Sequence, residues 1–159
     1  MNRQRILAVT LALAGAAAVA VGIYQELLHV APGYEGMIET GWSGRINHGE
    51  RLLAQLGAVG VGGTLAALRW KYAAVVPLGV GVVELGYPIQ AVLHYARDPG
   101  LYTQVQKYDG STTELVLGAE PFLLAAGGLC FLGAAVFAWR LSHQSQTAGD
   151  VRSQSVSHP

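Results

Sequence analysis

Glu84 has the strongest claim to chemistry in this chain. It stands twelve residues after Tyr72 in an apolar run that ends near Tyr95, and no other charge lies so deep in any such run. An ionisable side chain at mid-bilayer depth costs at least ~2.5 kcal/mol on insertion scales, so it is expected to face a protein interior. No Lys or Arg occupies the core of an apolar run to pair with it, so the carboxyl is expected to keep its proton. At 100° per residue, Glu84, Tyr87, Ala91 and His94 share an arc of ~80°, a polar stripe climbing one helix face. Pro88 beside that stripe removes a backbone donor and predicts a kink near Leu85.

Glu120 is the second candidate buried acid, just inside the fourth apolar run and followed by Pro121. Glu26 and His29 close the first run, and His48 precedes the second, so topology gathers these groups with His94, Glu50 and Glu120 at one membrane face. Imidazoles and carboxylates from different helices are ligands for zinc or copper. His29 and His94, on helices running in the same direction, have the placement of axial ligands to a b-type haem. A proton path through Glu84, Tyr87, His94 and water is the third reading. The plain alternative is a set of interfacial side chains that bind no cofactor, and it is preferred for the histidines because no HxxxH or HExxH spacing exists. No catalytic residue is identified, and the reading leans away from an enzyme.

These residues need helices to hold them. Ile6–Ile23, Leu52–Leu68, Tyr72–Tyr95 and Leu115–Leu141 are each long enough to cross a bilayer. The expectation is an all-α, polytopic four-helix transmembrane bundle over residues 1–141, with helices near 5–29, 51–69, 72–96 and 115–141. Residues 142–159, rich in Ser, Gln and His, read as a disordered cytoplasmic tail. Arg69-Trp70-Lys71 leaves room only for a tight antiparallel hairpin, whereas 30–49 and 97–114 are turn-rich connections. Small residues recur at every fourth position, as Thr10/Ala14/Ala18/Gly22, Ala54/Ala58/Gly62/Ala66 and Ala126/Cys130/Ala134/Ala138. Such ridges are expected to be the packing seams between helices.

Composition agrees: hydrophobic residues make up 52% of the chain and charged ones 13%, about half the charge of a soluble domain. Zero net charge and the lack of a basic patch argue against nucleic acid as a partner. Cys130 is alone, which rules out an internal disulfide and a CxxC motif. Gly57, Gly60, Gly62 and Gly63 lie in an apolar span with no Lys behind them, so they form no phosphate loop. Arg3, Arg5 and the apolar stretch after them admit a cleaved signal, but that stretch exceeds a signal core and reads as a retained helix. Eight Arg to two Lys, with abundant Ala and Gly, point to a GC-rich prokaryotic genome.

Three functions fit these residues. The first is a small subunit or scaffold of a larger membrane assembly or homo-oligomer, with lipid as its other partner. The second is a proton-coupled carrier centred on Glu84, and the third a redox or metal protein using the outer His/Glu cluster.

Basic residues orient the chain in the cell membrane. With both termini cytoplasmic, Arg3, Arg5, Arg69, Lys71, Arg140 and Arg152 lie inside, against Arg45, Arg51, Arg97 and Lys107 outside. Reporter fusions after Arg69 are therefore expected to read cytoplasmic, and fusions near Trp42 and Lys107 external. The opposite pattern would invert the orientation.

Overall fold

The computed structural model describes the backbone of residues 3–25, 28–30, 48–97, 105–106, 112–113 and 115–155, and the side chains of 3–25, 49–97 and 116–141. The class is all-α. Its helices are α1 (Arg3–Gly22), α2 (His48–Ala67), α3 (Val75–Arg97) and α4 (Glu120–Ser155). A 3-10 turn, Lys71–Ala74, leads into α3. Three stretches are long and apolar enough to cross a membrane: Arg3–Gly22, Lys71–Arg97 and Glu120–Leu141. Helix α2 is not among them, because Glu50, Arg51, Gln55, Thr64 and its glycines dilute its apolar residues.

The helices run up and down in chain order. α4 packs along α1 on one side and α3 on the other, and α2 closes the ring against α1 and α3. One end of the bundle carries the hairpin between α2 and α3. At the other end, β1 (Leu28–Val30) pairs antiparallel with β4 (Leu115–Leu117), so that Leu28 faces Leu117, His29 faces Val116 and Val30 faces Leu115. A second small ladder joins β2 (Val105–Gln106) to β3 (Thr112–Thr113).

Helix boundaries differ from the sequence expectation in three places. The first helix stops at Gly22 rather than continuing to His29, because Leu28–Val30 takes its hydrogen bonds from β4 instead. The fourth begins at Glu120 rather than 115, since Leu115–Leu117 is that partner strand. The backbone of α4 is also helical past Leu141 to Ser155, where the sequence predicts a disordered tail. Ser, Gln and Thr are tolerable helix residues, and extending a formed helix avoids a new nucleus. Pro88 lies inside α3, which runs without interruption to Arg97.

The core forms layers along the bundle axis. Ala67, Ala74 and Ala138 pack at the hairpin end. Ala12, Val80, Phe131 and Ala134 follow, with Leu11, Ala16, Leu56 and Val61 against them. Val19, Ile23, Leu53 and Leu124 form the layer nearest the strand-capped end, joined by Ala54 and Tyr87. The outside is as apolar as the inside. Leu13 on α1, Val59 and Leu65 on α2, Val82 and Val83 on α3, and Leu129 and Val136 on α4 are all exposed. A surface this apolar around every helix suits lipid rather than water.

Small-residue seams exist, but largely on other faces than the four-residue ridges predict. The buried face of α1 is Ala8, Ala12, Gly15, Val19 and Gly22, while Thr10 and Ala14 point outward. On α2 the interior face carries Leu53, Gly57, Gly60, Thr64 and Ala67, leaving Ala58 and Gly62 exposed. On α4, Ala134 and Ala138 are buried as expected and Ala126 is exposed. The reason is geometric: repeated steps of four drift 40° per step, whereas alternating steps of three and four hold one face.

The tightest seams flank α4. A Cβ on Gly127 would sit 2.6 Å from Val19 Cγ2 and 3.1 Å from the Gly15 carbonyl oxygen of α1. A Cβ on Gly128 would sit 2.8 Å from Leu85 Cγ and 2.9 Å from the Gly81 carbonyl oxygen of α3. By contrast nothing lies within 4 Å of a Cβ on Gly62. Gly127→Leu and Gly128→Leu are thus expected to destabilise the bundle by about 1–3 kcal/mol or more in detergent unfolding. Gly62→Leu should leave its stability unchanged, and equal effects would refute this assignment of seams.

Candidate functional site: a buried acid between apolar layers

Helix α3 places Glu84 one turn before Tyr87 on its interior face, and the side chain is 0% exposed. Neither Oε1 nor Oε2 has a hydrogen-bond partner. Across from the carboxyl lies Gly57 of α2, where a Cβ would stand 3.7 Å from Oε1 and 3.8 Å from Ala16 Cα of α1. A Cβ there would meet both at ordinary van der Waals distance, so Gly57 marks where the carboxyl abuts α2 without being required for its space. Pro88 adds a second polar vacancy: having no N–H, it cannot satisfy the carbonyl of Glu84 four residues earlier.

Glu120 is the other buried acid, 2% exposed at the first residue of α4, with Oε1 unpartnered. Pro121 occupies the first turn, where its missing N–H is harmless. Glu50 lies in the first turn of α2 at the same end of the bundle. The two carboxyls and the Tyr87 side chain are within electrostatic reach of one another. Two acids can gather here because each sits at the positive end of a helix dipole.

The predicted stripe is therefore split by burial. Glu84 is fully enclosed, Tyr87 half-buried and packed against the Leu53–Leu124 layer, and His94 exposed. Tyr87 and the acids Glu120 and Glu50 lie toward the strand-capped end. The sequence placed Glu50 at this end but not in the stripe; its position in the first turn of α2 was the available signal.

Regarding metal or haem, His29 lies on β1 and not on α1, so the two ligands do not come from two helices running in the same direction. The side chains of Glu26, His29 and His48 lie outside the described residues. Among the described residues, no group of three or more His, Cys, Asp or Glu could hold a metal ion. Cys130 stands beside Gly15 on the α1 side of α4, away from the acids.

The fold and site together define an all-helical bundle with a carboxyl enclosed in its middle. Compared with known proteins, the chain matches no family model, no curated sequence and no solved structure.

An enclosed polar group without a partner costs about 1–3 kcal/mol, whereas an apolar side chain of similar size costs nothing of the kind. Glu84→Met is accordingly expected to stabilise the bundle by that amount in equilibrium unfolding. A loss of stability would mean that Glu84 has a partner holding it in place.

Proposed function

We propose that the chain is an integral membrane protein whose four helices all cross the bilayer, working as a small subunit or scaffold of a larger assembly. The observation that carries this reading is the outward face of α2. Ala58 and Gly62 are exposed there, flanked by half-buried Ala54 and Ala66. Within the bundle, glycines and alanines of this kind let neighbouring backbones close in, and the ridge on α2 has the same composition with no neighbour at Gly62 among the described residues. Helix α2 is also the one helix outside the three apolar enough to span a membrane, so a covering chain would relieve its exposure to lipid. At the hairpin end, Trp70 and Tyr72 are 72% and 73% exposed, and Lys71 Nζ lies 5.1 Å from the Tyr72 ring centroid. Aromatic and basic side chains in this arrangement suit a headgroup layer, and the positive-inside rule makes it the cytoplasmic one.

A second reading, proton-coupled carriage centred on Glu84, is favoured by the unpartnered carboxyl. The two part on mass and on flux. Protein released in mild detergent is expected to run as a complex larger than one chain in native mass measurement, either a homo-oligomer or a complex with a partner. Gly62→Leu should reduce that species to the single chain while leaving helix content intact. A monomer in the wild type would remove the subunit reading.

A further inference from the structure

We infer that Glu84 is a proton-binding site reached from one side only, the end where α2 and α4 begin, by way of the Tyr87 hydroxyl and the Glu120 carboxyl. This takes from the proton-coupled reading only that Glu84 exchanges a proton; it requires no transport.

The surroundings select the ligand. Both oxygens of Glu84 are enclosed and unpartnered, and Oε1 looks across to Gly57 beside Ala16, neither of which has a side chain that offers a donor or a ligand. A metal cation needs several oxygen or nitrogen ligands, which this level of the bundle does not supply among the described residues. A proton needs none beyond the carboxyl itself. It is also the cheapest way to neutralise an acid at this depth.

The layers select the side. Between Glu84 and the hairpin lie Ala12, Val80, Phe131 and Ala134, then Ala67, Ala74 and Ala138. Of the buried polar atoms on that side, the Thr64 hydroxyl is committed to the Gly60 carbonyl at 2.9 Å, and the unpartnered Gln4 Oε1 lies at the far end, in the first turn of α1. Toward the capped end a single layer intervenes, Val19, Ile23, Leu53 and Leu124, and half-buried Tyr87 packs against it. Beyond that layer stand Glu120 and Glu50.

The titratable and charged groups on each packed helix leave this the most direct polar route among the described residues. On α1 they are Arg3 and Arg5, exposed at the hairpin end, and on α2 Glu50 and Arg51 at the capped end. On α3 they are Tyr87, His94, Tyr95 and Arg97, of which His94 and Arg97 are exposed. On α4, within the described side chains, they are Glu120, Cys130 and Arg140, with Cys130 turned to α1 and Arg140 exposed.

In the transfer, protonated Glu120 gives its proton to the Tyr87 oxygen as the Tyr87 O–H gives its own to the Glu84 carboxylate. One proton moves, tyrosine is regenerated neutral, and Glu120 is left ionised to be reprotonated from its own side. A bridging water serves the same transfer wherever two of these groups stand farther apart than a hydrogen bond. A site open to one side cannot pass protons through; it reports the acidity of that side. With the hairpin in the cytoplasm, that side is the exterior.

Infrared spectroscopy of the full chain in lipid vesicles tests this. The C=O band of a protonated carboxyl that is lost in Glu84→Gln belongs to Glu84, and the rate at which it shifts in D2O reads its access. The shift is expected to slow about a hundredfold in Tyr87→Phe and in Glu120→Gln, the scale on which one positioned proton-transfer group acts. Thr64→Val, on the hairpin side, should leave it unchanged. Unaltered rates in both Tyr87→Phe and Glu120→Gln overturn the route, and absence of a Glu84 band overturns the site. If Glu84→Gln does not fold, carbodiimide labelling of the wild type replaces it: modification at Glu84 by peptide mass supports the site, and none there overturns it. A band that behaves as expected without any proton-linked flux supports the site and removes the carrier reading.

Discussion

Adjacent glycines on α4, Gly127 and Gly128, decide how close the helices come. Lying 100° apart on the helix, they face different neighbours, so that one admits the α1 backbone and the other that of α3. In lipid no hydrophobic penalty drives helices together, and association rests on van der Waals contact between closely fitted surfaces. The carbonyls of Gly15 and Gly81 meet α4 at distances that even a methyl group would disturb. With α1 and α3 drawn to the two sides of α4, α2 completes the ring, and the enclosed space between layers falls at Glu84.

Close fitting also explains why so small a bundle can enclose an acid. Phe131 fills the middle layer against Gly60, where a Cβ would lie 2.5 Å from its ring. Immediately beyond, the carboxyl of Glu84 abuts α2 at Gly57, where a Cβ would meet Oε1 at an ordinary 3.7 Å. A glycine is thus required opposite the aromatic ring but not opposite the acid.

Much of this was legible in the chain itself. Long apolar runs announced the helices, and the three-residue connection Arg69-Trp70-Lys71 announced the hairpin. Glu84 and Glu120 stood out because an acid inside such a run has few places to go, and both are buried. The strand pairing of Leu28–Val30 with Leu115–Leu117 was not legible, since three apolar residues continue a helical pattern as readily as they start a strand. Nor were the seam faces: in helices this rich in Ala and Gly, several faces are smooth, and the choice among them depends on where Phe131 and Val19 press from a neighbouring helix. Gly60 carried no signal of its own, because its need for a glycine exists only opposite Phe131.

The β1–β4 ladder gives the chain a nested form. It clasps the end of α1 to the start of α4 and so makes these two an outer pair, with α2 and α3 enclosed between Leu28 and Leu117 as an inner pair. Closing the inner pair spans only the short turn at Arg69–Ala74, whereas closing the outer one brings together residues separated by most of the chain, at a greater cost in loop entropy. Local closure is favoured first on that ground. Glu84 belongs to the inner pair, while Ala16, Val19, Ile23 and Leu124, which shut it in, come from the outer. The acid's enclosure is thus completed by the two helices whose ends the clasp holds side by side.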